Sequence, residues 1–326
     1  MNRPLSIGLI GCGRVAEQFY LPALLNLQEG RLVAVADPVP QRRVLFLPPF
    51  PGCRAFDSAK ELLDNSSVEA LIITTPAETH VAIATMALRA GVSALVEKPL
   101  GISLAGIDEL QAAASSSPAR LMVGFNRRFW KPLQLLQQTL RQQLDSQKAS
   151  AQLTMTTNSQ VWAPISDPLD DLSSHQLDLL RYVFGRKLLA VSAEWKTSRE
   201  IRVRVRLEGN VVAECLAAQA GVSQESIRVE CNQRQYLVRV DMGSERIYPA
   251  TGAIRTLLDF GDGVKRRLRR RPAPLRGSFR YQISYFLHCL RSGAPAKPDL
   301  DDGIAVLRAV GAARESAAHG GIEIPV

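Results

Sequence analysis

The stretch Leu5-Ser-Ile-Gly-Leu-Ile-Gly11-Cys-Gly13-Arg-Val-Ala16 decides the fold of this 326-residue chain. Its first six residues are mostly apolar and leave no room for a helix before the glycines, so they predict a buried parallel strand. Gly11 permits a tight turn after that strand, and Gly13 lets the backbone come close to a ligand. Ala16 is small, so the helix that follows can pack against the strand.

An acidic residue follows at the spacing that a dinucleotide site needs. A second apolar run, Leu32–Ala36, ends at Asp37, about 20 residues beyond the glycines. The N–H groups at the start of the first helix, at Arg14 and Val15, would face a pyrophosphate with the help of the helix dipole. The Asp37 carboxylate would accept hydrogen bonds from ribose hydroxyls. An ordinary turn between a strand and a helix is the alternative, and the order of the four features favours a dinucleotide.

The composition is that of a globular protein with a substantial core. Hydrophobic residues make up 46% of the chain and charged residues 22%, and 326 residues are enough for two domains. No apolar run approaches the length of a membrane span. The first strand begins at Leu5, which leaves no space for a signal peptide, so we expect a cytoplasmic protein.

The cysteines support the same compartment. They are odd in number, scattered, and without paired metal-ligand spacing, which predicts a reducing environment and neither a disulfide framework nor a zinc site. We expect no metal site. The five residues are Cys12, Cys53, Cys215, Cys231 and Cys289.

The formal net charge of +9 comes in good part from one basic run, Lys265–Arg271, which two prolines follow closely. Such a cluster can bind nucleic acid or an anionic surface. No aromatic residues interleave with it and no nucleic-acid-binding motif flanks it, so a solvated loop is favoured over a nucleic-acid site. A phosphorylated substrate or an acidic partner stays open as a use for the run.

Strands and helices alternate up to about residue 125. The strands predicted after Asp37 include Val68–Thr75, Ser93–Val96 and Arg120–Gly124. The predicted helices include one that Asp57 or Ser58 caps and that runs through Leu63, Ala82–Ala90 with Gly91 as its stop, and Leu104–Ala114, which ends in a serine-rich linker at 115–117. We expect Pro22 to force either a break or a fresh start in the first helix, which begins at Val15. The alternation predicts an α/β dinucleotide-binding domain over residues 1–125, with a doubly wound parallel sheet of the Rossmann type.

The pattern changes in residues 126–326. After a helix over Lys131–Gln147, strand-like runs are predicted at Leu188–Trp195, Ile201–Leu207, Val211–Ala220, Ser226–Cys231 and Gln235–Asp241. Their period-two alternation indicates a mostly antiparallel open sheet in a second, α+β domain. We expect this domain to serve substrate binding and oligomerisation. Its exposed face favours a homo-oligomer, a dimer or tetramer. Two final helices, Ser278–Arg291 and Asp302–Ala318, are candidates for packing back on the first domain.

Two groups of residues carry candidate chemistry. Lys98, in Glu97-Lys98-Pro99, comes just past a parallel strand, where open α/β sheets place their ligands. A partly desolvated lysine there can exchange protons with a hydroxyl, and a surface lysine is the alternative. In Asp171-Leu-Ser-Ser-His175-Gln-Leu-Asp178, helical positions i, i+4 and i+7 form one stripe. A histidine between two acids can be held in one tautomer as a base, although a structural histidine is the alternative.

The order of these motifs resembles the Gfo/Idh/MocA family, the relatives of glucose–fructose oxidoreductase and inositol dehydrogenase. The resemblance runs nearly from end to end. The motifs that carry it are Gly11 to Ala16, Ala36-Asp37-Pro38, Thr75-Pro76 followed by His80, Glu97-Lys98-Pro99, Gly124-Phe-Asn-Arg-Arg128, Asp171 to Asp178, and Asp301-Asp-Gly303. Each motif alone is weak, and seven in the family's order are strong evidence.

The resemblance implies an NAD(P)-dependent oxidoreductase that moves a hydride between nicotinamide and a secondary alcohol or ketone of a sugar, cyclic polyol or related molecule. Lys98 would contact both the nicotinamide ribose and the substrate, with a bond to Pro99 that is often cis. His175 would take the alcohol proton, and Asp171 would position the substrate and tune the base. Arg127 is a further substrate candidate. The cofactor candidates are Gly11, Gly13, Arg14, Val15, Ala16, Asp37, Thr75, Pro76, His80, Glu97 and Lys98.

The sequence also departs from the family pattern. Ala163–Pro168 and Ser173 stand where the family carries glycines, so the substrate pocket is expected to differ in size or shape. Asp37 favours NAD, because a carboxylate repels a 2′-phosphate, while Arg42 and Arg43 leave NADP open. Two other functions stay open, an NAD-recycling glycosidase of the same family and a non-catalytic dinucleotide-binding regulator. The intact Lys98, Asp171 and His175 count against the regulator.

Overall fold

Two units make up the chain in the computed structural model, which describes residues 3–141, 148–157, 167–219, 223–240, 247–249 and 274–326. The first unit consists of Met1–Asn126 and Arg276–Leu307, and the second of Arg127–Leu275 and Arg308–Val326. None of the described helices combines the length and the apolar character needed to cross a lipid bilayer. Within these described ranges, no group of three or more His, Cys, Asp or Glu side chains could hold a metal ion.

A six-stranded parallel sheet forms the centre of the first unit. Its strands are β1 (Leu5–Ile10), β2 (Gly30–Ala36), β3 (Arg54–Phe56), β4 (Ala70–Ile73), β5 (Ser93–Glu97) and β6 (Leu121–Gly124). They lie in the order β3-β2-β1-β4-β5-β6. The strand order reverses at β1, and a reversal of this kind opens a crevice at the carboxyl ends of the strands. The predicted doubly wound Rossmann sheet is therefore confirmed.

Short helices connect these strands. They are α1 (Leu21–Leu25), α2 (Pro40–Val44), α3 (Ala59–Asn65), α4 (His80–Arg89) and α5 (Ile107–Ser116), with a 3-10 turn at Ala77–Thr79. Of the two caps expected for α3, Asp57 and Ser58, the structure shows Ser58, whose hydroxyl accepts the Glu61 N–H at 3.1 Å. Gly91, at φ +73°, follows α4 and is the predicted stop of that helix.

Of the two outcomes expected at Pro22, a break or a fresh helix start, the structure shows the fresh start. A π-turn over Ala16–Tyr20 leads directly into α1, and the Leu21 N–H donates to the carbonyl of Ala16. The wider turn shifts the hydrogen-bond register, so that Pro22 falls in the first turn of the next α-helical segment. A proline costs little there, because its missing N–H has no partner to lose.

The predicted start of α5 at Leu104 is wrong. Gly106 precedes the helix in the left-handed conformation, at φ +76°, and an α-helix cannot run through such a residue. At the other end the helix continues into the serines that we expected to form a linker. The hydroxyl of Ser115 donates to the carbonyl of Gln111 at 2.8 Å and that of Ser116 to Ala113 at 3.2 Å, so both side chains bond within the helix.

An eight-stranded sheet dominates the second unit. Its strands are β7 (Ala149–Thr156), β8 (Leu188–Thr197), β9 (Glu200–Leu207), β10 (Val211–Ala218), β11 (Gln224–Cys231), β12 (Arg234–Val240), β13 (Ile247–Pro249) and β14 (Ile324–Pro325). They lie in the order β13-β12-β11-β7-β10-β9-β8-β14. Neighbours are antiparallel except β7 and β10, so the predicted mostly antiparallel sheet is confirmed.

Strand β7 was not expected from the sequence, although it lies in the middle of the sheet. Its buried positions alternate along the strand, from Ala149 and Ala151 to Leu153 and Met155. Ala149 and Ala151 are small, and the polar residues Ser150, Gln152 and Thr154 alternate with the four buried ones. The strand therefore lacks the bulky β-branched run that marks β9, and its period of two is the signal that could have found it.

The remaining helices are α6 (Lys131–Arg141), α7 (Ser174–Phe184), α8 (Pro274–Ser292) and α9 (Leu300–Ala318), with a 3-10 turn at Asn126–Phe129 and a π-turn at Leu169–Ser173. Helix α8 belongs to the first unit. There Phe279 stacks on Phe19 with 4.9 Å between ring centroids and meets the edge of Tyr20 at 5.2 Å. These contacts hold the π-turn that follows the glycine stretch.

Candidate active site

The two glycines after β1 have opposite surroundings. Gly11 has φ +90°, and a Cβ added there would lie 2.8 Å from backbone atoms of Thr74 and Thr75, so only glycine fits. A Cβ on Gly13 would meet no described atom within 4 Å. The protein's own packing does not require a glycine at Gly13, but a closely approaching phosphate would.

The helical residues next to these glycines are placed as a dinucleotide needs. Ala16 is fully buried, whereas Val15 is partly exposed and Arg14 exposed. The N–H of Glu17 donates to the carbonyl of Gly13 at 3.0 Å, which starts the helical hydrogen bonding. The N–H groups before it belong to the end of the helix where anions bind.

Asp37 holds the glycine loop at the end of β2. Its side chain is 4% exposed, and its two carboxylate oxygens accept the N–H groups of Cys12 and Val39, each at 2.8 Å. Each oxygen has a second lone pair that can accept a ribose hydroxyl. Burial, with the Asp37 charge as a smaller cause, raises the pKa of the Cys12 thiol to about 12, so this thiol is neutral at physiological pH.

The two arginines after Asp37, Arg42 and Arg43, differ in their hydrogen bonds and their exposure. Arg43 pairs with Asp57 and donates to the carbonyls of Asp37 and Phe56 at 3.0 and 2.9 Å, so its guanidinium is held within the fold. Arg42 is 56% exposed, with Nη1 4.0 Å from Oδ1 of Asp37. The open space at Gly13, the helix start and the anchored carboxylate together fit a dinucleotide.

His80 ties two loops together at the carboxyl ends of β4 and β5. Its Nδ1 lies 2.7 Å from the carbonyl oxygen of Pro99, and its Nε2 lies 2.8 Å from that of Thr75. Burial lowers the pKa of His80, and the two carbonyl contacts oppose that shift. Nearby, Oγ1 of Thr79 lies 2.7 Å from Oγ1 of Thr75 and 2.8 Å from the carbonyl of Pro76. Thr75, Pro76 and His80 thus form one hydrogen-bonded loop region.

A buried carboxylate positions the backbone of Lys98. The hydroxyl of Tyr20 donates to Oε1 of Glu97 at 2.7 Å, and the N–H of Lys98 donates to Oε2 at 3.0 Å. The Lys98–Pro99 peptide bond is cis. Burial, and then the charge of Glu97, raises the pKa of Tyr20 well above its usual range, so its hydroxyl stays a donor. Tyr20 was not among the expected site residues, because its partner lies 77 residues away.

In the second unit, His175 contacts an arginine. Nη1 of Arg127 lies 2.9 Å from Nε2 of His175, and the imidazole is 3% exposed. A guanidinium has only donors, so Nε2 is the acceptor and the proton of a neutral imidazole lies on Nδ1. Arg127 also donates from Nε and Nη2 to the Glu225 carboxylate, at 3.2 and 2.5 Å. Sequence reasoning missed Glu225, whose one signal is an acid at an inward-facing position of β11.

The next arginine holds the same helix at a second point. Nε and Nη2 of Arg128 donate to both carboxylate oxygens of Asp178, at distances from 2.5 to 3.1 Å. Asp178 is 1% exposed, and the guanidinium also lies over the ring of Tyr182, 5.3 Å from its centroid. Asp178 therefore joins α7 to the 3-10 turn at Asn126–Phe129.

The continuous α-helix expected over Asp171–Asp178 is wrong in its first turn. Asp171 lies in the π-turn Leu169–Ser173, and α7 begins only at Ser174. The extra residue in a π-turn interrupts the i, i+4, i+7 stripe that was to join Asp171 to His175. Asp171 is partly exposed, and its N–H donates to the carbonyl of Asp167 at 3.0 Å.

Two features of the sequence lie outside the described residues. They are the basic run Lys265–Arg271 and the first part of the glycine-poor segment, residues 163–166. Ser173, the other departure from the family pattern, is fully buried in the π-turn. The extra side chain at position 173 therefore packs inside the protein.

Comparison with known proteins agrees with this arrangement. Residues 5–125 match the sequence model of the Gfo/Idh/MocA oxidoreductase family, described as having an NAD-binding Rossmann fold. An inositol 2-dehydrogenase from Rhizobium meliloti is 25% identical over 337 aligned positions, which cover 96% of this chain and 96% of that protein.

Solved structures share the fold over the whole length. The myo-inositol 2-dehydrogenase of Lactobacillus plantarum has a TM-score of 0.82 at 18% identity, with 99% of each chain covered. The scyllo-inositol dehydrogenase of Lactobacillus casei, with bound NAD(H) and scyllo-inositol, has a TM-score of 0.81 at 16% identity, also with 99% of each chain covered. The chain is thus similar to the Gfo/Idh/MocA family of NAD-binding oxidoreductases over residues 5–125, and to the Rhizobium inositol 2-dehydrogenase from end to end.

Proposed function

We propose that the protein is an NAD-dependent dehydrogenase that oxidises a secondary hydroxyl of a cyclic polyol or sugar, or reduces the matching ketone. The observation that carries the proposal is the 2.9 Å contact between Nη1 of Arg127 and Nε2 of His175. An imidazole that accepts the Arg127 N–H at Nε2 is in the neutral form that a general base requires. The end-to-end likeness to an inositol 2-dehydrogenase supports a polyol as the substrate class.

Each site residue has one role in this proposal. When bound, the nicotinamide ring would accept the hydride that leaves the carbinol carbon of the substrate. His175 takes the hydroxyl proton at Nε2, and Asp171 positions the substrate. Lys98 binds the substrate hydroxyl through its ammonium group, and the Glu97 carboxylate holds the Lys98 backbone N–H. The glycine loop and Asp37 bind the pyrophosphate and the adenine ribose.

We propose NAD rather than NADP as the working cofactor. Asp37 places a buried negative charge where a 2′-phosphate would come, and Arg43 is held by Asp57 and two carbonyls. Of the two arginines after Asp37, Arg42 is the one exposed enough to meet a phosphate, and it faces the same carboxylate. Calorimetric titration with both dinucleotides tests this choice, and tighter binding of NADP would contradict it.

The catalytic proposal is tested with a panel of inositols and sugars, by following NADH absorbance. The wild type is expected to turn over at least one member of the panel. Replacing His175 with Asn removes the proton acceptor, so kcat should fall by roughly 10² or more. The dissociation constant for NAD should stay the same, because the proposal assigns cofactor binding to the glycine loop and Asp37.

Three outcomes of this assay would contradict the proposal. Unchanged turnover in the His175→Asn variant would remove His175 as the base. Cleavage of a glycoside with no net NADH would instead indicate an NAD-recycling glycosidase. Binding of NAD without turnover of any substrate would favour a regulator.

We also propose that copies of the chain associate through the open face of the second unit's sheet. Arginines and glutamates alternate on that face, with Arg204 3.2 Å from Glu214 and Arg206 2.7 Å from Glu323. Val212 is 53% exposed between them. A face with both charges and an apolar centre can pair with a second copy of itself.

A reducing compartment, the cytoplasm, is the location that we propose. All five cysteines are free thiols, and four of them are buried. Burial raises the pKa of Cys53 to about 11 and raises that of Cys215 further. Unpaired cysteines of this kind are typical of proteins that work in a reducing environment.

A further inference from the structure

We propose that Glu225 is a positioning residue for the base: through Arg127 it keeps His175 in the tautomer whose proton lies on Nδ1 and whose lone pair lies at Nε2. This inference rests on the proposed function, because it takes His175 as the proton acceptor. It deepens that function by naming the group that prepares the base.

The three side chains form a linear chain of contacts within the second unit. Glu225 lies on β11 and accepts from Nε and Nη2 of Arg127, at 3.2 and 2.5 Å. Arg127 follows β6 in a 3-10 turn, and its Nη1 lies 2.9 Å from Nε2 of His175. His175 is in the first turn of α7. Elements far apart in the sequence thus meet at one guanidinium.

Because the guanidinium is planar, its two hydrogen bonds to Glu225 set the direction of its contact with Nε2 of His175. Two nitrogens on one edge are engaged by one carboxylate, and this fork fixes the plane of the group. Once the plane is fixed, the direction of Nη1 is fixed as well, because all three nitrogens share that plane. Without Glu225, Arg127 could rotate about its side-chain torsions and leave Nε2 of His175.

Charge and burial also support the role of Glu225 in holding Arg127. Arg127 is 14% exposed and Glu225 16%, so water screens neither group well. Glu225 lies on the same face of β11 as the buried Ile227 and Val229, two and four residues further along. An acid at such a position costs free energy unless a cation meets it, and Arg127 is that cation.

The contact selects one form of the imidazole. Imidazolium carries N–H on both nitrogens, and the other neutral tautomer carries N–H on Nε2, so neither can accept from Nη1. Only the tautomer with its proton on Nδ1 is compatible with a 2.9 Å contact. The same lone pair at Nε2 can accept a substrate O–H in place of Nη1–H, and the proton then passes from the hydroxyl oxygen to Nε2.

The test reads the tautomer directly, without activity, by ¹⁵N NMR of the protein labelled at histidine. His175→Asn identifies the signals of His175 among those of the four histidines. In the wild type, Nε2 of His175 should show the shift of an unprotonated nitrogen and Nδ1 that of a protonated one. In Glu225→Gln, the amide N–H₂ opposes the arginine donors, so the Nε2-protonated tautomer should become populated.

A matched control separates this effect from general loss of an ion pair. Glu69 forms a similar fork with Arg3 in the first unit, at 2.7 and 2.9 Å, and Glu69→Gln should leave the His175 signals unchanged. Arg127→Met serves as a second variant in case Glu225→Gln fails to fold, and it should shift the tautomer in the same way. In steady-state assays Glu225→Gln should lower kcat roughly tenfold with NAD affinity unchanged.

The outcomes distinguish this inference from the proposed function. A folded Glu225→Gln or Arg127→Met protein with the wild-type tautomer of His175 would overturn the role of Glu225, even if His175→Asn abolishes turnover. A wild-type protein with the expected tautomer but no turnover would refute the dehydrogenase and leave the positioning contact standing.

Discussion

At the residue scale, the two glycines that follow β1 separate what the fold needs from what the ligand needs. The fold requires a glycine at Gly11, because the positive φ and the nearby backbone of Thr74 and Thr75 exclude any side chain. Gly13 faces open space among the described residues. Both were expected from the same motif, and only the three-dimensional surroundings tell their roles apart.

This difference predicts opposite results for two alanine substitutions. Gly11→Ala should lower the free energy of unfolding by about 1–3 kcal/mol, because it strains the backbone and contacts Thr74. Gly13→Ala should change it by less than about 0.5 kcal/mol, while NAD affinity falls roughly tenfold or more. Urea unfolding without cofactor and calorimetric NAD titration measure the two quantities. Equal loss of stability in both variants would contradict the assignment.

At the scale of elements, consecutive arginines attach the 3-10 turn Asn126–Phe129 to α7. Arg127 points to His175, and Arg128 points to Asp178, one helical turn further along α7. A single short turn therefore sets the position of the helix that carries the proposed base. The second of these attachments is nearly fully buried, with Arg128 9% and Asp178 1% exposed.

Removing one member of this buried pair should be costly. Asp178→Ala leaves the Arg128 guanidinium without its carboxylate, and we expect a loss of about 3–5 kcal/mol in the free energy of unfolding. Glu214→Ala breaks the exposed pair with Arg204 and should cost about 1 kcal/mol or less. Urea unfolding at neutral pH compares the two. A cost for Asp178→Ala no larger than for Glu214→Ala would show that the pair does not hold α7.

Local sequence patterns predicted most elements, because apolar periodicity and turn residues act over a few positions. They predicted β1 with its glycine turn, the alternating β9, and a cap for α3 at Asp57 or Ser58. They failed where a hydrogen-bond register shifts, as in the two π-turns, since no local signal marks such a shift. They also failed for the small-residue strand β7.

The site was predictable only in part, for a related reason. Motifs suggest which residues carry chemistry, but the partners that position them come from distant strands and helices. Tyr20 reaches Glu97 across 77 positions, and Glu225 reaches Arg127 across 98. Contacts of this kind arise from the tertiary fold and have no periodic signature in the sequence.

At the scale of the whole molecule, the charged outer face of the second sheet predicts self-association. Light scattering coupled to gel filtration should give the mass of a dimer or tetramer for the wild type. Val212→Arg puts a like charge among the arginines of that face and should lower the mass to that of one chain, with the circular dichroism spectrum unchanged. A monomeric wild type, or an unchanged assembly in Val212→Arg, would contradict the proposed interface.

The central claim is that a hydride moves between the carbon of a secondary alcohol and a nicotinamide bound by the first unit. The most direct measurement uses a polyol substrate deuterated at its carbinol carbons, incubated with NAD and the enzyme, with the dinucleotide product analysed by mass spectrometry. We expect NADH that is heavier by one deuterium. NADH without deuterium, or no NADH from any polyol or sugar under conditions where NAD is bound, would contradict it.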